Sequence, residues 1–378
     1  MSDTIVELPP DPRARGRAHG EALRDSIRGH LEIWQANLDG GRGTDPQPYL
    51  EQFAQETDFL LAIRRWTPEL IEEVEGIAEG AAQPLPLIWA LQLLDEEWAY
   101  SNRRAILARS RDKCSAFGIA GDGVARPTLA GQNMDLGSYT GGFQALLHLA
   151  GNGEGPPALV FTLAGLIGLM GVNAAGLAVH VNTLSDLPSA ARGLPVAFVM
   201  RGALVRPDAH QAAEFIRSTH HASGQHYLLA DSRTVISLES SSAGSVLFAG
   251  QARGLVLHTN HALGTTSDAV HSVNGNSLAR LTSLERRLGR GSAASLEEAK
   301  AALSSFDDPQ HPICRLKRPG AGTIGYTVGS MVTELSATGP VTTEIAFGPP
   351  SENAYRRHNL PRWQPARMSS QAQAGATV

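Results

Sequence analysis

The chain changes character once, at Cys114, and that single switch of hydrophobic period constrains the fold more than any other feature. Upstream, apolar residues recur at helical spacing: Ala18, Ala22, Ile27, Leu31 and Trp34 within 12–38, then a second helix over 49–66 and a third over 68–80 with Leu70, Val74 and Ile77 on one face. A fourth covers 85–100. From Cys114 onward the pattern becomes short apolar runs bounded by Gly, Asp, Ser or Asn. Cys114 to Ala120 and Thr128 to Asn133 flank the turn Gly121-Asp122-Gly123, a predicted hairpin. Further strands are expected over 145–149, 158–163, 177–182, 226–230, 235–239, 255–259 and 323–335. Helices fall between them in blocks at 195–205, 209–218, 276–290 and 296–305, the last opened by Ser295 and Glu298 as a capping box. Helices first, then strands and helices in blocks, predict an α+β layer arrangement rather than βαβ alternation. Residues 1–113 read as a helical N-terminal segment and 114–378 as a second segment, with a small, polar, frayed tail from about Met368.

With 378 residues the chain buries an ample core without staples, and its two cysteines, Cys114 and Cys314, are too few for a disulfide framework or a four-thiolate zinc site. Cysteine usage points to a reducing compartment, and the N-terminus has no basic stretch followed by an apolar one, so a cytoplasmic protein is expected. The richest apolar run, 158–172, is interrupted by Gly165, Gly168 and Gly171, which predicts buried strand and turn rather than a membrane span. A net charge of −5 gives no electrostatic case for nucleic acid. No cofactor is implied, and the expected partner is a small molecule.

The candidate chemistry clusters around the switch point. A lone thiol is often core packing, but Cys114 begins a strand directly after Arg109-Ser110-Arg111-Asp112-Lys113, where cationic neighbours favour a thiolate. The hairpin returns Gly131-Gln132-Asn133-Met134-Asp135 toward Cys114. Downstream, a turn containing Asn173 leads into an apolar strand carrying His180 and Asn182 on one face, so Asn173, His180 and Asn182 are candidate substrate-binding residues. His258-Thr259-Asn260-His261 ends another strand. The two histidines lack the further ligands a metal site needs, whereas Asn260 suits an oxyanion hole. Arg315, after Pro312-Ile313-Cys314, is either an exposed charge or a guanidinium that orders carboxylates and carbonyls.

Taken in order, these motifs resemble the cysteine N-terminal-nucleophile hydrolases of the penicillin acyltransferase type. The resemblance spans most of the chain: Gly16-Arg17-Ala18-His19-Gly20, Glu75-Gly76-Ile77-Ala78-Glu79-Gly80, Cys114-Ser115-Ala116-Phe117, Gly131 to Asp135, Asn173 to Asn182, Thr259-Asn260 and Ile313-Cys314-Arg315. It implies an αββα four-layer sandwich and synthesis as a precursor cut between Lys113 and Cys114, the two fragments staying associated. It further implies Cys114 as nucleophile, Asp135 and Asn133 holding its amine and thiol, Asn260 binding the oxyanion and Arg315 ordering the site. Two positions depart from the pattern: Lys113 stands where glycine is common, and Gln132 where bile-salt and ceramide amidase relatives carry arginine.

The chemistry agrees with such a role. An α-amino group titrates at about 7.7–8.0 and a thiol at about 8.5, so a Cys114 freed as a terminus holds base and nucleophile in one residue. The expected activity is hydrolysis or acyl transfer on a linear amide of a small amine or amino acid, through a thioester. Two alternatives stand beside it: an uncleaved hydrolase pairing Cys114 with His180 or His261, and a degenerate member that binds a ligand without maturing.

Overall fold

The computed structural model describes residues 5–42, 45–103, 114–123, 125–151, 155–264, 275–291, 294–317 and 325–363. Lys113 and the tail beyond Met368 lie outside the described residues. The N-terminal segment contributes β1 (Ile5–Leu8), α1 (Pro12–Ala22), α2 (Arg24–Arg42), α3 (Pro46–Glu56), α4 (Leu60–Trp66), α5 (Glu69–Ala81), α6 (Leu85–Leu91) and α7 (Leu94–Arg103). After Cys114 come β2 (Ser115–Ile119), β3 (Thr128–Gly137), β4 (Gln144–Leu149), β5 (Ala158–Leu163), β6 (Met170–Asn173), β7 (Ala178–Thr183), α8 (Val196–Leu204) and α9 (Ala209–Ser218). The remainder is β8 (Gln225–Ala230), β9 (Val235–Ser241), β10 (Gly244–Phe248), β11 (Leu255–His258), α10 (Gly275–Leu288), α11 (Leu296–Leu303), β12 (Gly325–Leu335), β13 (Val341–Ala346) and β14 (Arg356–Leu360).

The strands form two sheets, one ordered β1-β4-β5-β6-β7-β8-β9-β10 and one ordered β11-β2-β3-β12-β13-β14. All pairings are antiparallel except β1 with β4. Pleat alternation gives each strand of the smaller sheet an inner and an outer set. Inward, Ala116 and Val256 meet Leu228 of the facing sheet. Outward, Phe117, Ile119, Leu129, Leu257 and Val332 pack on Leu281, Leu284, Leu288 and Leu303 of α10 and α11. Helices α8 and α9 cover the other sheet. The result is the expected α+β, four-layer αββα sandwich. The Ser295–Glu298 capping box forms as expected: Ser295 Oγ accepts from Glu298 N, and the Glu298 carboxylate from Ser295 N.

Three expectations change. The predicted helices over 12–38, 49–66 and 85–100 are each two helices, broken at Leu23, around Thr57–Phe59 and at Gln92–Leu93. The N-terminal segment is not wholly helical, because β1 adds a strand to the edge of the larger sheet through Ile5–Leu146 to Leu8–Leu149. β3 runs on to Gly137, so Asn133 and Asp135 lie inside a strand and not in the turn that ends one.

Helices α1 and α5 cross at nearly backbone contact. A Cβ placed on Gly16 meets the Glu73 carbonyl oxygen at 1.9 Å, and one on Gly76 meets the Arg13 carbonyl oxygen at 2.3 Å. The crossing also carries buried charge. Glu73 accepts from Arg201 Nη1 and Nη2 at 2.7 and 2.8 Å and from Arg15 Nη1 at 2.9 Å. Burial alone would raise its carboxyl, but Arg201 and Arg15 outweigh that and hold it below its ordinary value. Because no flexible side chain is available to yield at this crossing, Gly16→Ala is expected to lower stability by about 1–3 kcal/mol. Thermal unfolding checks this, and an unchanged midpoint would show that the helices can separate at no cost.

Candidate active site

Cys114 sits at the head of β2, 2% exposed, with Sγ 3.7 Å from Met134 Sδ and 3.9 Å from the Asp135 carbonyl oxygen. Its position follows from the hairpin: Ser115 pairs with Asn133, so Cys114 projects inward and Ser115 outward. The thiol lines a narrow cavity enclosing about 570 Å³ of atom-free space, its open mouth included. Other walls are Leu94, Asp95 and Trp98 of α7, Leu166 and Leu169 of the loop after β5, Val181 and Thr183 of β7, and Val196, Ala197 and Met200 of α8. The upstream helices thus supply part of the pocket.

On the opposite face of β2 lies a residue the sequence did not single out. Arg280, fully buried on α10, donates Nη1 to the Cys114 carbonyl oxygen and to Ser115 Oγ, Nη2 to Asn260 Oδ1 at 2.9 Å, and Nε to Asn276 Oδ1 at 3.0 Å. One guanidinium therefore ties Cys114 to Asn260. Burial lowers the Arg280 pKa to about 10, while the nearby Asp135 and Cys114 act to raise it and Arg315 to lower it. A sequence signal existed: Asn276, Ser277, Arg280 and Ser283 form a polar stripe on the buried face of an amphipathic helix.

The expected residues divide. Asp135 joins the Cys114 neighbourhood, its Oδ1 accepting from Thr327 Oγ1 at 2.7 Å, and that same hydroxyl accepts from Arg315 N at 2.9 Å. A bulge at Val328 in β12 sets Thr327 directly opposite Asp135. Arg315 is half-buried and within electrostatic reach of Arg280. Asn260 donates Nδ2 to the Thr183 carbonyl at 3.0 Å, at the edge of the cavity. Asn133 does not hold the Cys114 thiol: its amide donates to the carbonyls of Leu303 and Ile313 and so fastens the end of α11 and the approach to Arg315.

The three candidate binding residues do not line the cavity. Asn173 donates to Leu204 and Arg206 carbonyls and accepts from Leu177 N, which ties the β6–β7 turn to the end of α8. His180 and Asn182 do share a face, but alternation points them between the sheets and leaves Val181 and Thr183 to the cavity. There Asn182 Oδ1 meets His226 Nδ1 at 3.3 Å, and His226 stacks on His258 at 3.6 Å. Neither nitrogen of His180 has a hydrogen-bond partner among the described residues, and burial lowers its pKa to about 3. His261 Nδ1 is taken by the Thr259 and Ser277 hydroxyls. Neither histidine is therefore hydrogen-bonded to Cys114. Gln132 has a role of its own. β6 pairs with β7 only at Gly171 and Val172, and past that point the Gln132 amide accepts from Val181 N and donates to Val181 O as an absent strand residue would.

Beside the cavity, Glu96 accepts from Ser223 Oγ at 2.7 Å and Val196 N at 3.0 Å, and burial, with Asp95 next to it, raises its carboxyl to about 7. In the unfolded chain a glutamate titrates at about 4.3, so folding takes up a proton here. This contribution to stability is complete below about pH 4.3 and is lost as pH rises through about 7. Glu96→Gln is expected to gain stability relative to the parent at pH 8 compared with pH 5, read by urea unfolding. An identical difference at both pH values would contradict the assigned shift.

The model of the family described as acyl-coenzyme A:6-aminopenicillanic acid acyl-transferase matches residues 159–334. The chain is also similar to the 40 kDa form of acyl-coenzyme A:6-aminopenicillanic-acid-acyltransferase from Emericella nidulans, 29% identical over 317 residues, 82% of this chain and 84% of that one. Among solved structures, it is similar to the Caenorhabditis elegans ortholog of N-acylethanolamine-hydrolyzing acid amidase, with 14% identity and a TM-score of 0.43 over 58% of this chain and 92% of that one. It is similar likewise to the conjugated bile acid hydrolase of Clostridium perfringens, with 12% identity and a TM-score of 0.41 over 65% and 92%. The family model and the Emericella nidulans relative thus both show similarity to the acyl-coenzyme A:6-aminopenicillanic acid acyl-transferases, over residues 159–334 and over 82% of the chain respectively.

Proposed function

We propose that this protein is a self-processing cysteine amidohydrolase or acyltransferase acting on a linear amide through a thioester on Cys114. The observation that carries the reading is the position of Cys114: first residue of the hairpin, thiol on the cavity, carbonyl gripped by Arg280. A residue so placed can present an α-amino group and a thiol to one substrate carbonyl once the bond before it is cut. The amine then takes the thiol proton, sulfur adds to the carbonyl, and the departing amine leaves with that proton. Water or a second amine resolves the thioester. In the proposed maturation the same thiol adds to the Lys113 carbonyl, and the Lys113–Cys114 C–N bond breaks as the Cys114 nitrogen takes the thiol proton and becomes the free α-amine. Water then hydrolyses the resulting thioester to release the Lys113 carboxylate and the thiol.

A cut there leaves fragments of 113 and 265 residues, and the contacts across the cut support their staying together. β1 pairs with β4, Arg201 grips Glu73, Gln92 bonds Gly165 O and Ile167 N, and Asp95 bonds Thr183 and Gln225. Neither His180 nor His261, the two imidazoles considered as partners, is hydrogen-bonded to the thiol among the described residues, which favours this reading over a hydrolase that pairs Cys114 with either.

Intact-mass spectrometry is expected to show the two fragments in the purified protein, co-migrating as one species on size exclusion. Cys114→Ala is expected to remain a single chain without amidase activity. A single-chain parent that turns over amides, or an active Cys114→Ala, overturns the reading. Arg280→Lys keeps the charge but not the fork that reaches several acceptors, so kcat is expected to fall about 10–100-fold with KM little changed. Equal kcat in the folded variant would remove Arg280 from the positioning machinery.

A further inference from the structure

The cavity holds one ionisable side chain besides the thiol among its described lining residues, and that is Asp95. Its surroundings are Leu94, Trp98, Leu136, Leu169, Val196 and other apolar groups. Both hydrogen bonds that Asp95 accepts land on Oδ2, from Thr183 Oγ1 at 3.0 Å and Gln225 Nε2 at 2.7 Å, so Oδ1 accepts none among the described residues. Asp95 keeps some accessible surface, yet protein encloses it densely enough that desolvation raises its carboxyl. Its neighbour Glu96 adds a second carboxylate. Among the described residues neither has an ion-pair partner, although elsewhere the chain compensates its buried Glu73 with two arginines. The first turn of α7 carries Asp95, Glu96 and Glu97, where the helix dipole favours negative charge without neutralising it.

An enclosed carboxylate with a vacant oxygen and no counter-ion is costly unless a cation arrives with the ligand. We propose that the cavity takes amide substrates carrying a primary ammonium group, which binds Asp95 Oδ1 while an apolar stretch spans the cavity toward Cys114. Asp95 is thereby a specificity-determining residue contributed by the N-terminal segment. The proposal rests on Cys114 as the nucleophile, and it explains why that segment must stay attached after a cut: without it the pocket loses its charge.

Two matched series of amides test this, one ending in a primary ammonium and one in a methyl group, lengthened one methylene at a time and carrying the terminal group on the acyl or the amine side. The processed protein is expected to prefer the ammonium series by at least about tenfold in kcat/KM at one chain length, the magnitude of a charge-assisted hydrogen bond. Asp95→Asn should bring that ratio close to one, and Asp95→Glu should keep the preference with its optimum one methylene shorter. Turnover of both series with no ammonium preference at any length overturns the proposal, as does a preference that survives in folded Asp95→Asn. Calorimetry on Cys114→Ala separates the two readings. Tighter binding of ammonium amides with no turnover by the parent would sustain the cavity assignment and sink the amidase reading, and binding indifferent to the ammonium would sink the cavity assignment.

Discussion

The arrangement around Cys114 depends on a single buried cation. Arg280 reaches from α10 to the outer face of the smaller sheet and holds the Cys114 carbonyl, the Ser115 hydroxyl, the Asn260 side chain and Asn276. These groups come from β2, from the end of β11 and from α10, so they have no common local structure to align them. A guanidinium is suited to the task because its donors lie in a fixed plane and its charge survives desolvation, here with a pKa still about 10. Asp135 and Thr327 complete the frame: the Thr327 hydroxyl links the Asp135 carboxylate to the backbone of Arg315. The backbone around Cys114 is thus set by buried polar bonds on one face of β2, leaving the thiol on the other face for the cavity.

A second set of interactions binds the N-terminal segment to the rest. Its parts are a strand added to the larger sheet, a glycine-lined helix crossing, the Glu73–Arg201 pair, and amide and carboxylate contacts from Gln92, Asp95 and Glu96. These join residues on opposite sides of Cys114, and they include both cavity walls and core. The segment is therefore part of the folded body. The proposed cut requires this, since a fragment held only by its covalent bond would be lost when the bond is cut.

Much of the fold was legible in the sequence because the relevant signals are local. The β2–β3 hairpin, the long helices, the Ser295 capping box and the shift from helical to strand period each depend on residues within a few positions of one another. Strands β1, β6, β10, β13 and β14 were not legible. Several are four or five residues long, and β10 and β14 expose most of their residues, so no alternating apolar pattern marks them. Helix breaks at Leu23 and Leu93 were missed for a similar reason: apolar spacing continues across them although the axis turns. At the site, the hairpin returns Asp135 toward Cys114, whereas Asn260 is tied to Cys114 only through Arg280. His180 and Asn182 were correctly read as sharing a face, but period two does not say whether that face looks toward a cavity or toward a second sheet.

The sequence by itself determined the layer class, the place where helical and strand-rich segments meet, and the residue at that junction, since periodicity, turn chemistry and the side-chain inventory are properties of contiguous chain. Tertiary structure alone decided what surrounds that residue. Arg280 lies 166 positions from Cys114 and Thr327 lies 192 from Asp135. Asp95 enters the cavity from the far side of the junction. Such contacts arise because sheet register and helix packing bring distant faces to a fixed separation, where desolvation then makes each buried polar group depend on the partner it meets.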